Sequence, residues 1–528
     1  MTITPEPLAE TPLLRFWRGG YPLWVSWLVG VALNVGSALV IRALAFAVGE
    51  RAFDPYTIAG ALAAMWGVAA AILLYQSVGV WRAAARHAAR SGAPPASTPT
   101  RTKMRRLFAL AAQLTVLASV ANFVSLVASS GVRQMEETWR MAFEGDPDIP
   151  DFTIRTMRDG TEMEIAGGFK YGLTQEAREI MDATPKLEVV HLASAGGRIG
   201  EATQLARLIQ ERELSTYVAT SCLSACTIAF IAGHERFLKA GGKLGFHRAA
   251  FAGIESSGAM SGLLLAAGIE RSFTDRVAAQ PATGMWYPTA AELKAAHVIT
   301  ATVDTRRFAS SGLGAQPGAL AFARDLRGVG LYRAFEAVEP RLFLRLVERY
   351  ERGYETGQSE GEIQDRLGEV TAPVIRRHVA AADNGVLIDY ANLMADQFAA
   401  VGAKDARACF LRITRGATPD QSVLLDADLR DREQAIQARA LRATAPRTPV
   451  PRDLLQADYA TVFRQLGDRY SAAELQMFDH PGKVTPAQYP VFCRMTTAMF
   501  RAIAALPPTR AGDVMSTLFR SMDPPPPK

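Results

Sequence analysis

The 528-residue sequence is short of the residues that build metal sites: it has four cysteines and seven histidines. No zinc-ligand spacing links them, and no RNP-type motif, zinc-finger pattern or basic recognition helix is present, so neither metal nor nucleic-acid binding is expected. The net charge of +6 and pI near 9.1 do not overturn this, because much of the excess sits in one short segment between apolar runs. No convincing short-period repeat is present. Acidic residues are missing from residues 21–41, 56–81 and 107–128, and each stretch is long enough as helix to cross a hydrocarbon core of about 30 Å. The first is too long for a signal-peptide apolar region and is followed by no small-residue cleavage site, so it is expected to remain in place.

The loop at 82–106 carries Arg82, Arg86, Arg90, Arg101, Lys103, Arg105 and Arg106 without an acidic residue, which predicts a cytoplasmic loop. Orientation follows from it. The N-terminus, with Arg15 and Arg18, lies inside, the 49–55 loop lies outside, and the chain after Ala128 is exported. In a bacterium this is a multi-pass inner-membrane protein with periplasmic domains and the lipid bilayer as partner. Arg42, at the outer end of the first span, is expected to snorkel to the interface, and Gly60 in the Ala-rich second span permits close helix packing. The length implies two or three folded units: transmembrane helices at 1–130, an α/β domain at 150–305 and an all-α domain at 320–520.

From Asp151 short apolar runs alternate with amphipathic helices, which predicts a layered α/β domain. Strands are expected at 163–168, 187–192, 216–219 and 244–247, and helices at 174–183, 201–210 and 224–232. Residues 310–318 read as a linker. Beyond it, helical spacing covers 331–350, 360–382, 386–400, 453–466, 472–477 and 489–505, and the proline-rich 524–527 reads as a disordered tail. Nothing in the helical region has catalytic spacing.

The candidate chemistry lies in three ordered segments: Ser194-Ala195-Gly196-Gly197, then Ser221-Cys222-Leu223-Ser224-Ala225-Cys226, then Gly245-Phe246-His247. Together with Ala232-Gly233 they resemble the Clp protease and crotonase superfamily, and the ClpP-like serine peptidases in particular, over roughly residues 150–305. The resemblance implies a central domain of repeated ββα units, Ser224 as nucleophile, His247 as base 23 residues later, and a glycine turn that supplies an oxyanion-hole amide. It also implies a peptide or protein substrate, no cofactor, and self-association by analogy. The same segments have plain structural readings. Ser224 alone would be a helix N-cap, His247 a strand histidine, and Gly196 with Gly197 a turn.

The chemistry agrees with the resemblance. A serine hydroxyl needs a base of suitable pKa, which imidazole supplies. A serine at a helix start is exposed to free N–H groups that stabilise an oxyanion, and the candidates are the amides of Ala225, Gly196 and Gly197. The third family residue is where the sequence departs, because the position expected to hold an aspartate falls near Met285, ahead of the segment 289–299 that resembles the closing helix and strand. Asp275 and Asp304 are the nearest substitutes, and a Ser-Lys arrangement through Lys239 or Lys243, as in related signal peptide peptidases, is a minor alternative. The rival reading is an inactive envelope scaffold. Crotonase-type acyl-CoA chemistry is a third, disfavoured by the exported location. His191, His234 and His297 match no metal signature. Four cysteines in an oxidising compartment suggest pairing: Cys409 with Cys493, and Cys222 with Cys226 if Cys222 lies off the helix. Two buried thiols are the alternative for Cys222 and Cys226.

Overall fold

The first described element is α1 (Pro12–Trp17), capped by the Thr11 hydroxyl, and three long helices follow: α2 (Leu23–Arg51), α3 (Pro55–Ala89) and α4 (Pro99–Leu126). The computed structural model describes residues 11–51, 54–90, 99–251, 254–256, 258–315, 317–416, 424–443 and 447–521. The Arg42 and Arg101 side chains, part of the 49–55 loop, the middle of the basic loop and the tail at 524–527 lie outside the described residues. Asp54 starts α3 by accepting from Thr57 N at 2.8 Å, and Pro55 at the first helical position needs no partner for an N–H it lacks. A π turn (Val127–Gly131) carries α4 into α5 (Val132–Phe143). Among the described residues two helices, Pro55–Ala89 and Lys103–Phe143, are long and apolar enough to cross a membrane, and the apolar part of α2, Leu23–Leu39, is shorter. The close glycine contact falls at Gly79, where a Cβ would stand 2.3 Å from the Phe16 ring; a Cβ on Gly60 would meet nothing.

These helices share a compact unit with the α/β core, comprising Met1–Ile154 and Ile165–Thr302. The strands are β1 (Phe152–Met157), β2 (Glu162–Gly167), β3 (Val189–Ala193), β4 (Ser215–Val218), β5 (Ser221–Leu223), β6 (Arg236–Lys239), β7 (Lys243–Gly245), β8 (Ala249–Phe251), β9 (Ile254–Ser256) and β10 (Ala301–Val303). The main sheet has the order β1-β2-β3-β4-β6-β10, with β3, β4 and β6 parallel. The helices are α6 (Leu173–Ala183), α7 (Ile199–Glu211), α8 (Cys226–Ile231), α9 (Gly258–Ala266), α10 (Arg271–Ala279) and α11 (Ala290–Ala295). After each parallel strand the chain adds a short extended piece to a second layer before continuing. Ser194 bridges Cys222, Gly197 bridges Phe169, and β5 pairs with β7 in parallel. The strand-strand-helix pattern therefore recurs: β3 with 194–197 and α7, then β4 with β5 and α8. The core is largely apolar, with Met163, Ile165, Phe169, Leu205, Phe230 and Phe246 fully buried, and it also encloses His191, Glu201 and Thr216.

Several expected boundaries shift. The helix expected at 224–232 begins at Cys226, after a separate strand β5. The strand expected at 244–247 ends at Gly245, so His247 lies just beyond it. The closing helix at 290–295 is opened by a Thr289–Glu292 capping box, but the strand that follows, 301–303, lies beyond the 289–299 segment.

The second unit comprises Arg155–Glu164 and Val303–Lys528 and is helical apart from the strand ends. The expected single helix at 331–350 is two, Gly330–Val338 and Pro340–Glu355, because proline disfavours helical backbone in the residue before it, here Glu339. Helices Ala406–Arg415, Ala427–Arg442 and Pro508–Ser521 were not expected from the spacing. Cys409 and Cys493 are disulfide-bonded with Cα atoms 6.2 Å apart. The stretch read as a linker is packed at its start: Ser310 N donates to Gln358 O (2.7 Å) and Gly312 N to Glu164 Oε1 (2.6 Å). Glu164 is buried and also accepts from Arg155 (2.6 Å) and Tyr354 Oη (2.9 Å).

Candidate functional site

The turn after β3 is built by its own side chain and by glycine. Ser194 Oγ accepts from Gly196 N at 3.0 Å, while Ser194 N donates to Ser221 O (3.1 Å) and Ser194 O accepts from Leu223 N (2.9 Å). Gly196 has φ +105°, and a Cβ there would lie 2.8 Å from both Leu223 O and Ser224 Cβ. Only a residue without a side chain lets this turn meet the serine. Gly197, at φ +149°, would set a Cβ 2.4 Å from Phe169 O. The turn is fixed to that neighbour by Phe169 N→Gly196 O (2.9 Å) and Arg198 N→Phe169 O (2.7 Å).

Ser224 occupies the corner between β5 and α8 with φ +54°. A non-glycine residue in left-handed backbone costs of order 1–3 kcal/mol and persists only where its surroundings fix it. Three ties do so. Ser224 N donates to Gly245 O (2.9 Å), Ser224 O accepts from Thr227 N (3.0 Å) and from Thr227 Oγ1 (2.7 Å), and a disulfide joins Cys222 to Cys226 across it with Cα atoms 5.4 Å apart. Both cysteines are fully buried. Cys222 lies in β5 and so off the helix, which brings the pair into bridging range. The Ser224 side chain remains partly exposed.

His247 is two residues beyond the carbonyl that holds Ser224. Its strand end is set by a reciprocal pair, Phe246 N→Trp286 O (2.9 Å) and Trp286 N→Phe246 O (3.0 Å), and by the edge-on and tilted packing of Phe246, Phe273 and Trp286 with centroids 4.8 to 6.3 Å apart. The Phe246–Trp286 bridge is antiparallel; continued by one residue its register sets Met285 across from His247, and it ends there, since Arg248 N donates to Gln280 O (3.2 Å). The Met285 thioether covers Gly245, its Sδ 2.8 Å from where a Cβ would stand. His247 Nδ1 is buried and has no hydrogen-bond partner among the described residues. No hydrogen bond joins Ser224 Oγ to His247 among them.

The remaining candidates are placed apart. Asp275 is exposed on α10, and Asp304 accepts from Arg306 N (2.8 Å). Lys239 lies in β6, and Lys243 begins β7 with its side chain exposed. His191 is buried edge-on against Tyr217, whereas His234 and His297 are exposed. Of the three candidate oxyanion amides, Gly196 N is taken by Ser194; those of Gly197 and Ala225 donate to nothing among the described residues.

Sequence spacing gave no sign of Arg198, which directly follows the glycine pair. Its guanidinium donates through Nε to Asp146 Oδ2 (3.0 Å) and through Nη2 to the other Asp146 oxygen, and Nη1 donates to Glu137. Burial pushes its pKa down, but the hydrogen bonds it donates to Asp146 and Glu137 outweigh this and hold it above the ordinary arginine value.

No family model and no curated protein matches the chain. Among solved structures it is similar to a point mutant of ClpP1 from Listeria monocytogenes, with 15% identity, 28% of this chain and 94% of that one covered, and a TM-score of 0.24. It is also similar to a point mutant of the 1510-N membrane-bound stomatin-specific protease, with 14% identity, 27% and 77% coverage and a TM-score of 0.21. The third is an enoyl-CoA hydratase from Mycobacterium avium subsp. paratuberculosis, with 17% identity, 29% and 68% coverage and a TM-score of 0.23.

Proposed function

We propose that the chain is a membrane-anchored serine peptidase of the ClpP-like type. The observation that carries this reading is the corner at Ser224, held at φ +54° against a glycine turn, with two undonated amides beside it. Strain concentrated on a partly exposed serine between a strand and a helix is a recurring device for presenting a nucleophile.

In the proposed reaction Ser224 Oγ adds to the scissile carbonyl while His247 takes its proton through Nε2. The amides of Gly197 and Ala225 hold the oxyanion, and each such donor is worth about 10²–10³ in rate. The imidazolium then protonates the leaving amine. The same imidazole deprotonates the water that releases the acyl group, so Ser224 is regenerated. With Met285 opposite it, His247 works without an orienting carboxylate, as the base of a dyad. A fluorophosphonate probe should label the wild type and not Ser224→Ala; a folded wild type that stays unlabelled refutes the reading.

The location belongs to the same proposal. The basic loop at 82–106 faces the cytoplasm and both compact units' folded domains are periplasmic, where disulfides such as Cys222–Cys226 and Cys409–Cys493 persist. Reporter fusions after Ala128 test this, and a cytoplasmic result reopens acyl-CoA chemistry. One observation favours a second reading, a non-catalytic scaffold: the unpartnered His247 Nδ1 opposite Met285. Full rescue of a deletion strain by Ser224→Ala and by His247→Ala would establish it.

A further inference from the structure

Arg198 joins two parts of the molecule, the glycine turn and the helix that continues the apolar segment. Its main chain belongs to the glycine turn, through Arg198 N→Phe169 O (2.7 Å). Its side chain belongs to the stalk, where Glu137 sits on α5 and Asp146 on the segment just after it. Asp146 is 1% exposed, and the arginine and Glu137 side chains are 16% and 23% exposed. Helix α5 continues α4 through the π turn Val127–Gly131, so a single rod runs from the apolar helix to the carboxylate that holds Arg198. Two further contacts fix the top of α3 in the same place: Tyr56 Oη donates to Ala142 O (3.0 Å) and Tyr171 Oη to Asp54 Oδ1 (3.2 Å).

The charges make this a coupling rather than an incidental contact. One guanidinium sits between two mostly buried carboxylates and offsets half of their charge. Without it they repel each other in a poorly solvated place, and the stalk and turn separate. The bidentate fork on Asp146 also fixes direction, because a guanidinium donates in one plane and an ammonium does not.

We infer that Arg198 is a positioning residue that makes the Gly196–Gly197 turn depend on the membrane helix, so that the seating of α4–α5 sets how well the Gly197 amide is aimed at Ser224. The effect on reaction rests on the peptidase reading, while the mechanical link does not. A shift of about 1 Å in a reacting geometry costs up to about a hundredfold.

The test uses the full-length protein in detergent micelles and in liposomes, with Glu137→Gln, Arg198→Lys and Arg198→Ala. Glu137 accepts from the Arg198 side chain, so its variant weakens the link without altering a residue of the glycine turn. Hydrogen–deuterium exchange should rise in peptides covering 194–198 in Glu137→Gln, and more in Arg198→Ala. Exchange that rises only within 132–143, or nowhere, overturns the inference whether or not the protein is an enzyme. Fluorophosphonate labelling should show a maximal inactivation rate about ten- to a hundredfold lower at unchanged probe affinity, with Arg198→Lys between the wild type and Arg198→Ala. A labelled wild type with unaltered rates in Arg198→Ala also overturns it. An unlabelled wild type sinks the peptidase reading and leaves the exchange result to decide the link. If Arg198→Ala does not fold, Glu137→Gln and Arg198→Lys carry both measurements.

Discussion

Replacing Gly196 with alanine tests whether the glycine turn is packed against Ser224. Two costs apply. The first is backbone: φ is +105°, and an L-residue in left-handed backbone costs about 1–2 kcal/mol. The second is space, because the new Cβ would meet Leu223 O and Ser224 Cβ at 2.8 Å and Ala225 N at 3.2 Å. Overpacking a tight site costs about 1–3 kcal/mol, so Gly196→Ala should lose about 2–5 kcal/mol in all. Gly241→Ala is the control, since φ there is +87° with nothing within 4 Å. It carries the backbone cost without the collision. Thermal unfolding of both variants in micelles gives the difference, and fluorophosphonate labelling gives the functional consequence. The Ser224 side chain and the Ala225 amide must move by several tenths of an ångström, so labelling should fall about ten- to a hundredfold in Gly196→Ala and stay at the wild-type rate in Gly241→Ala. Equal destabilisation by the two substitutions, or wild-type labelling by Gly196→Ala, would refute the packing argument.

Three more outcomes follow from the same geometry. Ser224→Gly should be more stable than Ser224→Ala by about 0.5–1 kcal/mol, the left-handed cost of about 1–2 kcal/mol less glycine's extra unfolded freedom of about 0.5–1; equal melting temperatures would show that the corner is not strained. Met285→Asp should raise the labelling rate about tenfold, a small part of the roughly ten-thousandfold that an orienting acid is worth in an evolved triad, and a folded variant with no gain would mean that position 285 does not reach His247 Nδ1. In the helical unit Glu362 is held below the ordinary glutamate range by the Ser359 amide first, with the Ser359 hydroxyl and Arg158 adding to it against burial. Its contribution is fully present above the ordinary value of 4.5 and is lost as pH falls through the lower folded value. Glu362→Gln should flatten the acid side of a stability–pH curve, and an unchanged slope would remove Ser359–Glu362 as its source.

The parts of the site that were legible are those whose reason is local. Gly196 and Gly197 read as a turn needing close approach because two adjacent glycines after a strand have few other uses, and the structure supplies the neighbour, Ser224 Cβ. The Cys222–Cys226 pairing was legible as a condition, that Cys222 leave the helix, and β5 meets it. Strands of three or four residues carry little periodicity, so β4 and β7 were legible only to within a residue or two and β6 not at all. The positive φ of Ser224 was invisible, since serine is an ordinary N-cap and nothing in its neighbours requires left-handed backbone. Arg198 was missed for a different reason. Its partners Glu137 and Asp146 are 61 and 52 residues away, and a charged residue among 58 lysines and arginines has no local mark of being buried.

Met285 bears on chemistry as well as on legibility. Counting along the chain put the missing acid near position 285, and a count is open to error by a residue or two. The Phe246–Trp286 pair fixes the register independently of any count, and the residues from Pro281 to Pro288 include no carboxylate. Sliding the alignment along that segment therefore cannot supply an acid. An active enzyme on this scaffold must recover the lost orientation of His247 by other means, and the aromatic packing of Phe246, Phe273 and Trp286 is what holds that strand end in place. Most of the rate then falls to the amides of Gly197 and Ala225, because oxyanion stabilisation survives when the triad is incomplete.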